Sequence, residues 1–289
     1  MRLGFQSLKV ESIGGYVVPS ESMDAETLAE LHLALERILA EFKRVCGELG
    51  LPYFVYGGTA IGAVRHNGFI PWDDDVDVCM LRADYERFLE EAPEILGSDF
   101  VIENSRTDAD YPNMFTKLGL RGSVFVPAFI ERSSFTPKIA LDIFPLDKAG
   151  PSRSQYRRQA CSAWFWGRVM YLQGTPNPHV PFGGAKRFLV SSVAAVAYWG
   201  MRLLRVRPRA LQARWEKAAR RYERSSSELY TDFTDANPRA WEVSREELFP
   251  ARQAAFGQLT VDIPFQSHRI LTRGSRRAAT TAPSRSSIA

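Results

Sequence analysis

Four aspartates between positions 73 and 77 are the residues best suited to chemistry, in the motif WDDDVDV. Side chains alternate between the two faces of a strand, so Asp73, Asp75 and Asp77 are predicted to project together while Val76 and Val78 enter the core. Carboxylates this close repel one another by several kcal/mol, roughly 4 per pair at an effective dielectric near 20. A bound divalent cation, Mg²⁺ or Mn²⁺, would offset that repulsion.

An acidic run also occurs in solvated loops and turns, and this is the main alternative. The alternation of Val76 and Val78 with the acids argues against it. So do the apolar residues Ile70 and Trp72 just before the run. These neighbours favour a cation site.

A glycine-rich turn lies upstream of the acids, after the short apolar segment 52–56. Backbone N–H groups of such a turn at the start of a helix suit a phosphate, and glycine permits close approach. Gly57, Gly58 and Thr59 are therefore candidate phosphate-binding residues. Arg65, at the end of the short helix that follows, either contacts a phosphate or caps the helix.

Two further charged residues stand within apolar segments. Asp142 lies in the predicted strand IALDIF, on the face opposite Ile139, Leu141 and Ile143. A buried carboxylate without a partner is costly, so Asp142 is the candidate third metal ligand beside Asp75 and Asp77. Lys117 is predicted to lie in mid-strand, where it is either an exposed edge residue or a phosphate contact.

The elements that must position these residues can be read from periodicity. Apolar residues at spacings of three and four predict a long helix over 24–49, ended by Gly50 and Pro52. A second amphipathic helix is predicted over 82–96. Strands are predicted over 100–103, 114–120, 123–130 and 139–144, and a return strand pair over 241–250 and 256–265.

Composition places the chain among ordinary globular proteins, with 45% hydrophobic and 24% charged residues. The net charge of +4 suits anionic substrates or a membrane surface and is too small to indicate nucleic acid. Three scattered cysteines form neither a disulfide framework nor a zinc motif. The first ten residues lack the apolar core of a secretory signal. We expect a cytoplasmic protein, with peripheral contact to the inner face of a membrane as a further expectation.

The composition changes after Gly150, where two long segments, 152–173 and 184–206, combine apolar cores with basic ends. The apolar stretch 188–204 is short for a membrane span. It favours a helix that is buried or lies in a membrane interface. A basic helix over 208–224 has two equally weighted interpretations, a solvated face and a contact with anionic lipid.

The segments GGTAIGAVRHNGFIPWDDDVDV at 57–78 and LDIFPLD at 141–147 resemble the LicD family, which includes the fukutin-related proteins. LFP near 248 and VDIP at 261 are similar to the family's C-terminal block. The resemblance implies an α/β (α+β) fold, a nucleotidyltransferase-like mixed sheet flanked by helices, with a helical C-terminal portion.

The resemblance also implies roles for individual residues. Gly57 and Gly58 correspond to the turn, and Asp75 and Asp77 to the metal-binding pair. Asp73 corresponds to an additional acid of the family's pattern, and Asp142 to the third carboxylate.

The implied activity is transfer of a phospho-substituent, phosphocholine or a phospho-alditol, from a CDP-linked donor. The acceptor would be a cell-surface glycan or lipid-linked glycan, such as lipopolysaccharide or teichoic acid. Two alternatives remain: transfer of a nucleotide to an acceptor, and a catalytically inactive protein that assembles at a membrane surface. Nucleic acid is not an expected partner.

The expected organisation has three parts. Residues 1–150 form the catalytic core with its N-terminal helix, and residues 151–272 form a helical acceptor-side portion packed on that core. Residues 273–289 are predicted to be disordered, because they lack an apolar period. They also depart from the tyrosine-glycine-aspartate block that follows in the family, which is typical of an aberrant or truncated end.

Overall fold

The computed structural model describes residues 24–125, 135, 137–174 and 184–281, with side chains omitted at 184–187 and beyond 274. The helices are α1 (Ala25–Leu49), α2 (Gly57–Arg65), α3 (Arg82–Ile95), α4 (Arg153–Gly174), α5 (Gly184–Leu203), α6 (Pro208–Ala219), α7 (Arg245–Leu248) and α8 (Ser267–Thr281). The strands are β1 (Phe54–Val55), β2 (Asp77–Leu81), β3 (Phe100–Glu103), β4 (Thr116–Leu120), β5 (Ala140–Lys148), β6 (Leu229–Thr231), β7 (Val243–Ser244), β8 (Arg252–Phe256) and β9 (Leu259–Ile263).

The strands build a mixed sheet, which confirms the predicted α/β class. Five strands lie in the order β1-β2-β5-β4-β3, with β6 pairing with β5 and β7 with β6. The pair β2–β5 is parallel, and the other pairs of this sheet are antiparallel. Strands β8 and β9 form a separate antiparallel hairpin.

Helix α1 forms where periodicity predicts it, because both of its ends carry strong stop signals. The side chain of Asp24 accepts a hydrogen bond from the Thr27 backbone N–H at 2.7 Å, as an N-cap does. Gly50 takes a left-handed conformation (φ +63°), and the Leu51 N–H closes the C-terminus on the Cys46 carbonyl at 2.8 Å. The apolar face between these caps is buried, with Ile38 and its neighbours fully covered.

The pleat of β2 sends alternate residues into two different cores. Val78 and Met80 pack with α1, α3 and the β8–β9 hairpin in the main core. Cys79 and Leu81 enter a smaller core on the opposite face, together with Phe54 and Ile270. Asp77 shares the parity of Cys79, so it belongs to the second face, away from α1.

The segments after Gly150 are not separate from the sheet. Strand β6 extends it through β5, and the β8–β9 hairpin contributes Phe256 and Val261 to the main core. Helices α4 and α6 pack together around Trp215, which is fully buried. Part of the C-terminal portion therefore completes the same fold as the first 150 residues.

Several boundaries differ from those predicted. The β2 strand begins at Asp77, and residues 73–76 precede it without strand pairing. The segment 241–250 contains the two-residue β7, which pairs with β6, and the helical turn α7. The segment 256–265 contributes β9, whose partner is β8 and not the 241–250 segment. Helix α8 runs through Thr281. The predicted strand 123–130 and the tail beyond 281 lie largely or wholly outside the described residues.

No single helix in the described ranges has the length and hydropathy of a membrane span. Two consecutive helical segments, Phe188–Leu203 and Pro208–Tyr222, have that length and hydropathy when they are taken together, and they are bent by 110° relative to each other.

Candidate active site

Strand register places the predicted acids side by side. Asp77 on β2 lies opposite Asp142 on the parallel strand β5. Asp142 in turn lies opposite Lys117 on β4. Directly paired residues project to the same face of a sheet, so two acids and a lysine form one row across three neighbouring strands. This row is the centre of the candidate site.

The N-terminus of α2 closes over one end of the row. Gly57 has φ +54°, a conformation that L-residues with side chains rarely adopt. A Cβ at Gly57 would lie 3.0 Å from Asp77 Oδ2, and one at Gly58 would lie 2.6 Å from Asp73 Oδ2. Both glycines are thus required for the close approach between the helix start and the carboxylates.

Backbone hydrogen bonds fix this approach. The Tyr56 N–H donates to the Asp77 carbonyl at 2.9 Å, and the Asp77 N–H donates to Thr59 Oγ1 at 2.8 Å. Thr59 is almost fully buried. It anchors the start of β2 to α2, a positioning role that differs from the phosphate contact predicted for it.

Residues 73–76 reach the row from the α1 side of the molecule. The His32 ring Nε2 lies 2.7 Å from the Asp73 carbonyl oxygen, and the same ring stacks on Phe69 with centroids 3.9 Å apart. Val76 is fully buried, and its carbonyl accepts the Asp142 N–H at 2.8 Å. The valine alternation predicted from the sequence therefore does hold the acidic segment against the core.

The carboxylates of the site raise one another's pKa. Burial is the first cause for Asp75, followed by the charges of Asp73 and Asp142, and together they raise its pKa to about 7. Burial and the Asp75 and Asp142 charges raise the pKa of Asp77 well above its usual value. The side chain of Asp75 keeps access to solvent. Full ionisation of the site is therefore disfavoured unless positive charge is added to it.

Lys117 supplies one positive charge to this cluster. Its Nζ forms an ion pair with Asp142 Oδ1 and lies 5.4 Å from the centre of the Phe115 ring. Burial still raises the pKa of Asp142, and Lys117 opposes that rise. The carboxylate that sequence reasoning treats as unpartnered therefore has a partner.

A hard divalent cation suits the chemistry of these donors. Neither Asp75 nor Asp77 is ion-paired with any residue in the described ranges, and both have raised pKa values that a cation would reverse. Across the same ranges, no three His, Cys, Asp or Glu side chains converge closely enough to form a ready metal cluster. The donor types fit Mg²⁺ or Mn²⁺, and the structure does not close them into a ligand group.

Arg65 does not join the site. It lies exposed in the last turn of α2, eight residues from Gly57. At 1.5 Å per residue this is about 12 Å along the helix axis. Of its two sequence interpretations, the position at the helix end is the one that the structure shows.

Sequence reasoning missed two residues beside the row, Tyr56 and Asp232. Asp232 follows β6 and is nearly fully buried. Its carboxylate accepts from the Thr234 N–H and hydroxyl at 2.7 and 2.6 Å, and the Tyr56 hydroxyl lies 3.4 Å away. Burial raises the pKa of Asp232 to about 7. Its only sequence signal is an aspartate directly after a short strand.

An aromatic wall accompanies these two residues. The Tyr56 ring contacts Trp241 and Phe144, with centroids 4.7 and 5.5 Å away. Phe144 also contacts Phe115, at 4.5 Å. Phe144 has the parity of Asp142 on β5, so the wall borders the row of charged side chains.

A buried ion pair supports the other end of β5. Arg82 Nε and Nη2 donate to the two Asp147 carboxylate oxygens, each at 2.8 Å. Both side chains are almost fully buried. Asp147 lies within β5 and pairs with Arg82 at the start of α3.

A protein-family model, described as LicD/FKTN/FKRP, nucleotidyltransferase domain, matches residues 50–149 of the chain. That range contains the glycine turn, the acidic segment, Lys117 and Asp142. Over residues 50–149 the chain is similar to that domain. Strands β1 to β5, which align the charged row, all lie within this range.

Curated relatives match the chain over short segments. A protein named lipopolysaccharide cholinephosphotransferase LicD, from Haemophilus influenzae, is 50% identical over 64 residues, which are 22% of this chain and 24% of the relative. An uncharacterized protein of Rickettsia typhi is 28% identical over 74 residues, 26% of this chain and 24% of the relative. One of Rickettsia prowazekii is 35% identical over 52 residues, 18% of this chain and 20% of the relative. The chain thus covers about a quarter or less of each of these relatives.

Proposed function

We propose that this LicD-domain chain is a phosphotransferase that moves a phospho-substituent from a CDP-linked donor to a cell-surface glycan, with lipopolysaccharide the first acceptor class to test. The observation that carries the proposal is the row formed by Asp77, Asp142 and Lys117 beneath the α2 N-terminus. It lies within the LicD-matched range. The name of the Haemophilus influenzae relative supports phosphocholine as the transferred group.

The α2 N-terminus and the acids would act on the donor's diphosphate. Free N–H groups and the helix dipole at Gly57 and Gly58 favour a phosphate there. Asp75 and Asp77, with Asp73 beside them, would hold Mg²⁺ or Mn²⁺, which when bound neutralises charge on phosphate oxygens. Without such a cation the ionised carboxylates of Asp75 and Asp77 would repel an anionic donor.

Lys117 and Asp142 have linked roles in this scheme. Lys117 keeps Asp142 ionised and oriented through their ion pair. The acceptor hydroxyl would attack the phosphorus that carries the transferred group and give its proton to Asp142. A new acceptor O–P bond forms, the bond from that phosphorus to the nucleotide phosphate breaks, and CMP leaves.

Transfer of the nucleotide itself is the second candidate, because the matched family domain is described as a nucleotidyltransferase domain. The same row would then serve attack on the other phosphorus. The products distinguish the two reactions: phospho-substituent transfer releases free CMP, whereas nucleotide transfer leaves the nucleotide on the acceptor.

The test is calorimetric titration of CDP-choline and CDP-ribitol into the purified chain, with and without Mg²⁺, followed by product analysis with lipopolysaccharide. The variant Asp75→Asn/Asp77→Asn removes the two uncompensated charges. Asp99→Asn is the matched control, since Asp99 is an exposed aspartate that pairs with Arg37 outside the row. We expect Mg²⁺-dependent binding in the wild type and the control and none in the double variant.

The result that contradicts the donor site is equal binding by the double variant, or binding that ignores Mg²⁺. Binding without turnover on lipopolysaccharide would point to another acceptor or to the inactive assembly protein. A panel that includes teichoic acid separates these two outcomes, because an inactive protein turns over on none of the acceptors.

A further inference from the structure

Helix α5 presents a continuous apolar face to solvent. Leu189, Val193, Val196 and Leu203 recur at spacings of three, four and seven along it, and their exposed fractions are 65%, 61%, 74% and 84%. Trp199 adds a ring that is 64% exposed. We call these five residues the α5 face. Contiguous exposed apolar surface of this kind marks an interaction site.

The packing of α5 explains why this face stays uncovered in the described structure. Ala194, on the other side of the helix, is buried, and α5 contacts α4. In α4, the aromatic rings of Trp164 and Phe165 are each about half exposed, at 51%. The apolar stretch 188–204 was expected to be either buried or in a membrane interface, and the exposure of the α5 face favours the interface.

The neighbouring helix α6 does not share this exposure. Its apolar residues Leu211, Trp215 and Ala219 are buried against the rest of the fold. The bent pair that has the length and hydropathy of a span therefore includes α6, which already packs against the rest of the fold. Of these two helices, α5 is the one that leaves an apolar face exposed in the described structure.

The stretch of sequence that contains the α5 face carries charge of one sign. Between Asp147 and Glu216 the sequence has twelve lysines and arginines and no aspartate or glutamate. Four of these arginines, Arg202, Arg205, Arg207 and Arg209, are exposed at the C-terminal end of α5 and just after it. An apolar stripe with exposed arginines at its end, in a stretch of sequence free of acidic residues, is the pattern of a helix that lies on anionic lipid.

We propose that the α5 face inserts into the interface of an anionic lipid bilayer, with the surrounding arginines against the headgroups. A protein partner with an acidic rim, or a second copy of this chain, would contact the same residues, and the experiment below distinguishes these occupants. The lipid occupant is favoured because an apolar stripe of one helix, bordered by charge of one sign, matches a flat anionic surface. The inference goes beyond the proposed function and stands without it.

The test is flotation of the full chain with vesicles of phosphatidylcholine alone, or of phosphatidylcholine with 30% phosphatidylglycerol. We expect binding to the anionic vesicles that weakens as salt rises. Val196→Glu/Trp199→Glu should reduce the bound fraction at least tenfold. Leu33→Glu is the matched control, because Leu33 is an apolar residue of α1 that is 69% exposed and distant in sequence from α5.

A second variant tests the charge separately. Arg207→Ser/Arg209→Ser changes two exposed side chains and leaves the apolar face intact. It should weaken binding on the order of tenfold to anionic vesicles and leave any binding to phosphatidylcholine unchanged. Circular dichroism and thermal melting check that each variant is folded.

Three results would overturn the proposal. The wild type does not float with anionic vesicles, or the glutamate variant binds as well as the Leu33→Glu control. The third is a dimer in light scattering that Val196→Glu/Trp199→Glu dissociates, which would assign the α5 face to a second copy of the chain.

Discussion

Replacing Lys117 with methionine should destabilise the fold and make its stability depend on pH and on divalent cations. Methionine keeps most of the aliphatic volume of lysine and removes the charge. Asp142 would then be left without its ion-pair partner, in a row that already contains Asp77.

The expected loss is about 3 kcal/mol. Removing one partner of a buried ion pair typically costs about 3–5 kcal/mol. The lower end applies here because the Lys117 and Asp142 side chains keep 19% and 14% exposure. At roughly 2–4 °C per kcal/mol for a chain of this size, the midpoint of thermal unfolding should fall by roughly 6–12 °C near pH 8.

The pH dependence follows from the direction of the pKa shift. Burial already raises the pKa of Asp142 in the wild type, and Lys117 opposes that rise. Without Lys117 the folded-state pKa rises further above the unfolded value. The deficit of the variant is then present above this raised pKa and shrinks as pH falls and Asp142 binds a proton.

Urea unfolding at pH 5 and pH 8, with and without Mg²⁺, measures these effects. Lys138→Met is the matched control, since Lys138 also pairs with a buried acid, Glu103. Mg²⁺ should restore stability to Lys117→Met and not to the control. A deficit equal at both pH values, or one below about 0.5 kcal/mol, would show that Lys117 is not the charge that balances Asp142.

Three other substitutions separate stability from binding. Asp232→Asn should stabilise the fold at pH 8 relative to pH 5. Because the pKa of Asp232 is raised to about 7, ionisation of its carboxyl costs stability, and this cost grows above pH 4 and saturates above pH 7. The shift sets an upper bound of about 4 kcal/mol on the gain in free energy of unfolding, which urea unfolding measures. Gly58→Ala should leave the melting temperature nearly unchanged, since the atoms nearest to its Cβ belong to the Asp73 carboxylate, and should weaken donor binding in calorimetry at least tenfold. Gly47→Ala, with open space around its Cβ, should leave donor binding unchanged. Arg82→Met should destabilise by about 3–5 kcal/mol in thermal unfolding, because it leaves Asp147 buried and unpaired.

Much of the scaffold could be predicted from local signals. Helix α1 is bounded by an aspartate cap and a glycine stop, and its apolar period is unbroken, so the prediction needs no tertiary information. The valines at 76 and 78 likewise mark the buried face beside the acids. Predictions failed where an element is too short to carry a period, as in β7 and α7.

Only those features of the site that depend on residue type and on strand parity could be predicted from the sequence. The sequence indicates that Asp142 needs a partner, because an isolated carboxylate in an apolar strand is costly. It does not indicate that the partner is Lys117, since that depends on β4 lying beside β5 in a register set by the whole sheet. Sequence reasoning assigned Lys117 to phosphate and Asp142 to metal, and the structure joins them in one ion pair.

That ion pair changes the chemistry to be expected of the site. With Asp142 balanced by Lys117, Asp75 and Asp77 remain carboxylates without an ion-pair partner among the described residues. A cation bound there would face the α2 N-terminus, where Gly57 and Gly58 leave room for a phosphate. The same balance leaves Asp142 beside the cation site and already oriented by a hydrogen-bonding ammonium group. Loss of Lys117 should therefore lower turnover even when the donor still binds. Measuring both donor affinity and turnover in Lys117→Met would show this difference.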